Sequence, residues 1–183
     1  LVWSRFPRLK ATLNQRHMAA LPHSMPGRRG PVRDALTLFD ECGMAVVCAD
    51  EAPLRTLASH DWRTLFGRRG ESWPASVRVW MIGHGNLEAL AQPYPGMIAQ
   101  CILLHTPGGI PDRTGLDEIM ANLWSDTAGP SKPAQLCAFP FAGIPGWWQE
   151  PQDEAFYGDQ EVFRPPRPGR STPPVWSVPS ESR

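Results

Sequence analysis

The stretch from Arg33 to Gly43, Arg-Asp-Ala-Leu-Thr-Leu-Phe-Asp-Glu-Cys-Gly, runs directly into the apolar segment Met44 to Ala49 and constrains the fold more than any other part of the chain. It sets Arg33, Asp34, Asp40 and Glu41 beside the longest apolar run in the sequence. Leu36 to Phe39 and Met44 to Ala49 read as two short strands. Asp40 first and Gly43 last in the intervening tetrapeptide have the composition of a type I turn, so the segment predicts a β-hairpin. Charges beside a buried strand either cap a turn or build a site, and the residues alone allow both.

The remaining elements arrange themselves around that hairpin. Leu9, Leu13 and His17 share one helical stripe, and proline is tolerated in a first turn, which predicts a helix from Pro7 to about Ala20. Pro22 to Pro31 reads as a loop. Pro53 opens a helical stretch capped by Asp50 or Glu51, broken near His60 and ended by Gly67 to Gly70. Val77 to Ile82 predicts a strand, followed by a tight connection at Gly83 to Asn86 into a short helix reaching about Ala91. Ile98 to His105 is another strand and Leu116 to Trp124 an amphipathic helix. Residues 129–151, rich in Pro, Gly and aromatics, predict an extended strap packed over the domain. Six of the 19 residues from Pro165 to Arg183 are proline, which predicts a disordered tail. The expected fold is a single α+β domain over residues 1–164, with a small, mainly antiparallel sheet.

Bulk properties narrow the partners. Formal net charge is zero, which argues against nucleic acid or an anionic membrane. No apolar run approaches the ~20 residues of a membrane-spanning helix. The four cysteines form no C-x-x-C, and Cys48 and Cys101 sit inside apolar runs where a thiol acts as a small hydrophobe. Read as reduced, they predict a cytoplasmic protein. The charge is uneven all the same: residues 1–36 carry +6 and residues 112–161 carry −7. The two segments either solvate separate surfaces or the basic one forms a patch for a small anionic ligand, a phosphate or carboxylate.

His84 and Glu88 lie four apart at the start of a helix that follows a buried strand. That spacing brings their side chains within ~6 Å on one face, as a divalent metal or an acid–base pair requires. Asp40 and Glu41 at the hairpin tip form a second polar pair, with Arg33 and Asp34 close by. Asn14 and His17 project from the first helix, and Tyr157 follows the strap, placed to close over a pocket. Phosphate-loop, dinucleotide, zinc-protease and nucleophile-elbow motifs are all missing. Two functions are compatible with these groups. One is a hydrolase, metal-assisted phosphoesterases included, with His84, Glu88, Asp40 and Glu41 as catalytic candidates. Arg33, Asp34, His17, Asn14 and Tyr157 would then hold the substrate. The other is a non-catalytic module that binds a protein partner through the tryptophan-rich strap, Phe139 to Trp148. A shared catalytic site requires the Asp40 carboxylate within ~10 Å of the His84 ring.

Five ordered motifs also carry a likeness to a known family. They are Trp3-x-x-Phe6-Pro7-x-x-Lys10-x-x-Leu13-Asn14, Arg33-Asp34-x-x-Thr37-x-Phe39-Asp40-Glu41-x-Gly43, Gly83-His84-x-x-Leu87-Glu88, Gly143-x-Pro145-Gly146-Trp147-Trp148 and Phe156-Tyr157-x-Asp159-x-x-Val162-Phe163-Arg164. Over residues 1–166 the chain resembles a bacterial family known as the domain of unknown function 3025. The resemblance implies no activity. It does imply an upstream segment, with a His-Asp pair and then an Asn, preceding what is Leu1 here. It also implies a small apolar residue where this chain has Gly85, a change expected to loosen the start of the helix.

Overall fold

The chain enters its fold through two helical pieces, α1 (Val2–Arg5) and α2 (Pro7–Ala20). Pro7 stands at the first helical position, where its missing N–H costs nothing, and Leu9 and Leu13 form the buried stripe. A computed structural model describes residues 2–21, 30–66, 76–127, 129–144, 146–148, 153–166 and 168–178. The expected loop at residues 22–29 and the Gly67 to Gly70 terminator lie outside the described residues.

The next segment overturns an expectation. Pro31–Cys42 is a helix, α3, and not one arm of a hairpin. Val32, Ala35, Leu36 and Phe39 are spaced i, i+3, i+4 and i+7, the stripe a helix buries, and Pro31 occupies the first helical position. The four residues Leu36 to Phe39, three of them apolar, satisfy both the strand and the helix pattern; the wider spacing decides. Asp40, Glu41 and Cys42 form the last turn of α3, and β1 (Gly43–Cys48) follows without a loop. Gly43 makes the reversal feasible, because a Cβ there would sit 2.1 Å from the Phe39 carbonyl oxygen.

Then come α4 (Glu51–Ala58), α5 (Trp62–Phe66), β2 (Val77–Met81), α6 (His84–Ala89), β3 (Ile98–His105) and α7 (Arg113–Ser125). The Asp50 side chain accepts from Ala52 N at 3.0 Å and caps α4. The break between α4 and α5 falls where expected, at His60, whose φ of 56° ends the helical path. The strap carries two single-turn 3-10 helices (Pro133–Gln135 and Phe141–Gly143) around a short strand, β4 (Cys137–Pro140). Last come α8 (Glu154–Gly158) and β5 (Val175–Ser177).

The strands make one five-stranded sheet in the order β2-β1-β3-β4, with β5 on the same edge of β3 as β4 but further along. The expected α+β domain is what forms. Its sheet is mixed: β1–β2 and β3–β4 are antiparallel, β1–β3 and β3–β5 parallel. The crossover from β1 to β3 makes the central pair parallel, and no hairpin-sized link could. β5 corrects the expectation of a disordered tail. Val175 and Trp176 each pack on one face of the sheet, and Val178 N donates to the His105 carbonyl. Proline content limits backbone donors, but three residues between prolines suffice to complete an edge.

Alternation along the strands divides the core in two. Met44, Val46, Cys48, Ala99, Cys101 and Leu103 face α4, α5, α8 and the strap. Ala45, Val47, Ile102 and Leu104 face α2, α3 and α7, where Trp124 lies 4.8 Å from Phe39. Helices therefore cover both faces, and full burial of β1 on each explains its unbroken apolar run. Among the described residues, no helix is long and apolar enough to cross a membrane.

Candidate functional site

The direct passage from α3 into β1 puts polar groups at one end of the sheet, where β1 begins. Gly43 begins β1, and its carbonyl accepts from Ile82 N at 3.0 Å, Gly83 N at 2.8 Å and the Asn86 side-chain amide at 3.1 Å. Asn86 is buried and holds α6 against the start of β1. The approach is close: a Cβ on Gly83 would lie 2.4 Å from both the Glu41 carbonyl oxygen and Gly43 N. On Gly85 a Cβ would meet the same Glu41 oxygen at 3.0 Å. Gly85 therefore lets α6 sit against the end of α3, which differs from the loosening expected of it.

His84 is the first residue of α6, and its Nδ1 lies 2.9 Å from the Asp40 carbonyl oxygen. A carbonyl only accepts, so neutral His84 carries its proton on Nδ1 and presents the Nε2 lone pair on an exposed ring. The Asp40 oxygen is one of the last four carbonyls of α3, which have no partner inside the helix, so the same bond closes a helix end. The Asp40 carboxylate pairs with Lys10 of α2. Covalent reach between the carbonyl and carboxylate of one aspartate is about 5 Å, so the carboxylate stays within about 8 Å of the His84 ring. That is inside the distance a common site requires.

Two of the candidate groups, Asp40 and His84, thus meet, and Lys10 joins them, so that α2, α3 and α6 each contribute one. Asn14 stands one turn beyond Lys10 on α2 and is exposed, and Glu88 stands one turn beyond His84 and is exposed. The Glu41 side chain is exposed, while its backbone is the surface that Gly83 and Gly85 press against. Arg33 and Asp34 are half-buried in the first turn of α3, about 10 Å along the helix from Asp40. Asp34 there complements the helix dipole. His17, half-buried near the end of α2, is about 10 Å from Lys10 along that helix. Tyr157 does not join the cluster. It is buried on the other side of the sheet against Phe156 and Phe163, and burial pushes its hydroxyl above the ordinary range.

Among the described residues no three His, Cys, Asp or Glu side chains gather closely enough to hold a metal ion. No third such side chain joins His84 and Glu88 among the described residues. Cys42 sits beside Glu41, and partial burial together with that carboxylate raises its thiol, so it offers little thiolate. In the strap, Phe139 and Phe141 are buried, Trp148 packs partly against the core, and Trp147 is 43% exposed.

Lys10 and Asn86 were not among the candidates drawn from residue type and spacing. Lys10 and Asn14 stand at i, i+4 on one helix face, a signal as strong as the His84–Glu88 spacing. Asn86 offered no signal, since a buried amide holding a carbonyl looks like any polar residue in a short helix.

Among protein families, the one described as protein of unknown function (DUF3025) matches residues 1–167. Comparison with curated proteins returned no match, and comparison with solved structures returned none either.

Proposed function

The chain belongs to the DUF3025 family, and from the α2–α3–α6 cluster we propose that it is an acid–base enzyme of the hydrolase type in which His84 moves the proton. The supporting observation is the 2.9 Å contact of His84 Nδ1 with the Asp40 carbonyl, which leaves Nε2 as an exposed acceptor with no hydrogen bond among the described residues. A general base needs this arrangement, with one ring nitrogen anchored and the other open. In the proposed reaction Nε2 takes a proton from a water molecule as that water attacks an ester or phosphoester. The resulting imidazolium returns the proton to the leaving group. The Lys10 ammonium, held by Asp40, stabilises negative charge on the reacting group, and Asn14 and Glu88 border the substrate. Among the described residues no three ligand-type side chains gather here, and no step is routed through a metal.

The test is turnover of p-nitrophenyl acetate, p-nitrophenyl phosphate and bis(p-nitrophenyl) phosphate by the full chain. One class should be hydrolysed, and His84→Gln should lower kcat by about 10²- to 10⁴-fold. Undiminished turnover in His84→Gln, or none by the wild type on any class, ends this reading. A second reading, a protein-binding module working through the strap, has the exposure of Trp147 in its favour. It predicts a partner whose binding is lost in Trp147→Ala while every His84 variant binds normally.

A further inference from the structure

A cleft of about 680 Å³ opens at the free edge of β4, well within the size range of small-molecule sites. It is formed where residues 162–166 and 168–170 pass over the strand, and its lining includes His60, Trp62, Gln100, Arg164 and Arg170. Prolines from several segments make up much of the remaining wall, and among the described residues no acidic one contributes to it.

Two features give this cleft a chemical character. The first is charge without a counter-charge. Arg170 donates one N–H to the Leu136 carbonyl at 3.2 Å, and Arg164 donates its Nε–H to the Glu161 carbonyl at 3.2 Å. Neither guanidinium pairs with a carboxylate among the described residues, although each has five donors in a planar fork suited to an anion. The second is a flat, stiff floor. His60 stacks on Trp62 with ring centroids 4.9 Å apart and planes 27° from parallel, and Trp62 Nε1 donates to the Arg164 carbonyl at 3.0 Å. That bond ties the aromatic pair to the arginine-bearing segment. His60 also holds a backbone φ of 56°, which disfavours most non-glycine residues, and its Nδ1 is buried with no hydrogen bond.

We propose that this cleft is a binding site for a small organic anion with a flat apolar body, its carboxylate or phosphate head held by Arg164 and Arg170 and its body lying along the His60–Trp62 pair and the proline walls. The site is independent of His84: it sits at the opposite edge of the sheet from β2 and α6 and needs no proton transfer.

The test uses the full chain with four probes: benzoate, phenyl phosphate, inorganic phosphate and neutral benzamide. Binding is followed by calorimetry and by the imidazole resonances of His60. Benzoate or phenyl phosphate should bind saturably and shift the His60 signals, and the tighter of the two identifies the head group. Benzamide and inorganic phosphate should each bind at least 10-fold more weakly than that probe. Arg164→Gln, whose side-chain contact is local, should weaken binding at least 10-fold without moving the unfolding midpoint, and Arg164→Lys should recover part of the loss. Arg170→Gln should weaken binding as much, judged only if its unfolding stays cooperative. The proposal is overturned if neither aromatic anion binds, if benzamide binds as well as benzoate, if inorganic phosphate equals phenyl phosphate, or if Arg164→Gln binds like the wild type.

Discussion

The carboxylate of Asp117 on α7 caps α2 from 108 residues away, accepting from Leu9 N at 2.9 Å with one oxygen and from Arg8 N at 3.1 Å with the other. The residue before the helix, Phe6, has no side chain able to do this, and Pro7 has no N–H to satisfy. One acidic residue on a neighbouring helix thus closes the first turn of α2 and fixes how α2 and α7 pack.

Asp117 is 4% exposed, and its removal leaves one buried donor, Leu9 N, and one part-buried donor, Arg8 N, without partners. Asp117→Ala should cost about 2–4 kcal/mol in chemical unfolding. Asp117→Asn, which keeps one acceptor, should cost less. Equal stability of Asp117→Ala and the wild type would show that the cap contributes nothing.

Gly83 faces backbone atoms that cannot yield. Gly83→Ala should destabilise by about 2–4 kcal/mol, because its Cβ would fall 2.4 Å from the Glu41 oxygen and Gly43 N. Gly85→Ala, with its nearest contact at 3.0 Å, should cost less than half as much. Urea midpoints of the two variants, measured side by side, check the ordering.

The Lys10–Asp40 pair is mostly shielded, with side-chain exposures of 13% and 24%. Lys10→Met should cost about 1 kcal/mol by leaving the carboxylate unpaired, and Lys10→Met/Asp40→Asn should recover much of that loss. A double-mutant cycle with no coupling energy would mean that the pair contributes nothing to folding.

Burial lowers the His60 pKa, Arg170 lowers it further, and the Arg164 backbone opposes them. The unfolded chain therefore binds this proton first as pH falls, so the stability associated with His60 is intact above about 6.5 and is lost as pH drops through that value towards the lower folded pKa. His60→Asn, which tolerates the positive φ, should flatten the stability profile between pH 7 and the acid side of that window. Bound benzoate should flatten it as well, by favouring the imidazolium.

Cys48, Cys101 and Cys137 are fully buried, and burial pushes the Cys137 thiol to about 12. Cys101 is raised for the same reason, with Cys137 opposite it in the sheet adding to the effect. Iodoacetamide under native conditions should modify half-buried Cys42 first, slowly, and leave the other three intact by mass spectrometry. Early labelling of Cys101 or Cys137 would mean that the β3–β4 edge opens readily.

Much of the fold could be read from local pattern. Ile98 to His105 is a strand at the expected residues, Pro7 to Ala20 a helix at both expected ends, and His60 the break between two short helices. In each case the period and the punctuating Pro or cap agree. Leu36 to Phe39, Leu-Thr-Leu-Phe, fits either period and so reads as one arm of a hairpin with Met44 to Ala49, whereas the helical spacing of Val32, Ala35, Leu36 and Phe39 shows only over a longer window. At the candidate site, residue type and spacing picked out His84, Glu88 and Asp40. They did not pick out Lys10, and they included Tyr157, which lies across the sheet.

Alternation, helical stripes and proline positions were enough to establish an α+β chain with a buried strand at Met44 to Ala49, since each depends only on neighbours within a turn or two. Which polar groups meet was settled by packing alone: Asp117 with the α2 backbone, His84 with the Asp40 carbonyl, Arg164 and Arg170 over His60 and Trp62. Those encounters join residues dozens of positions apart, and their energies come from desolvation and directional hydrogen bonds that exist only once the layers have closed.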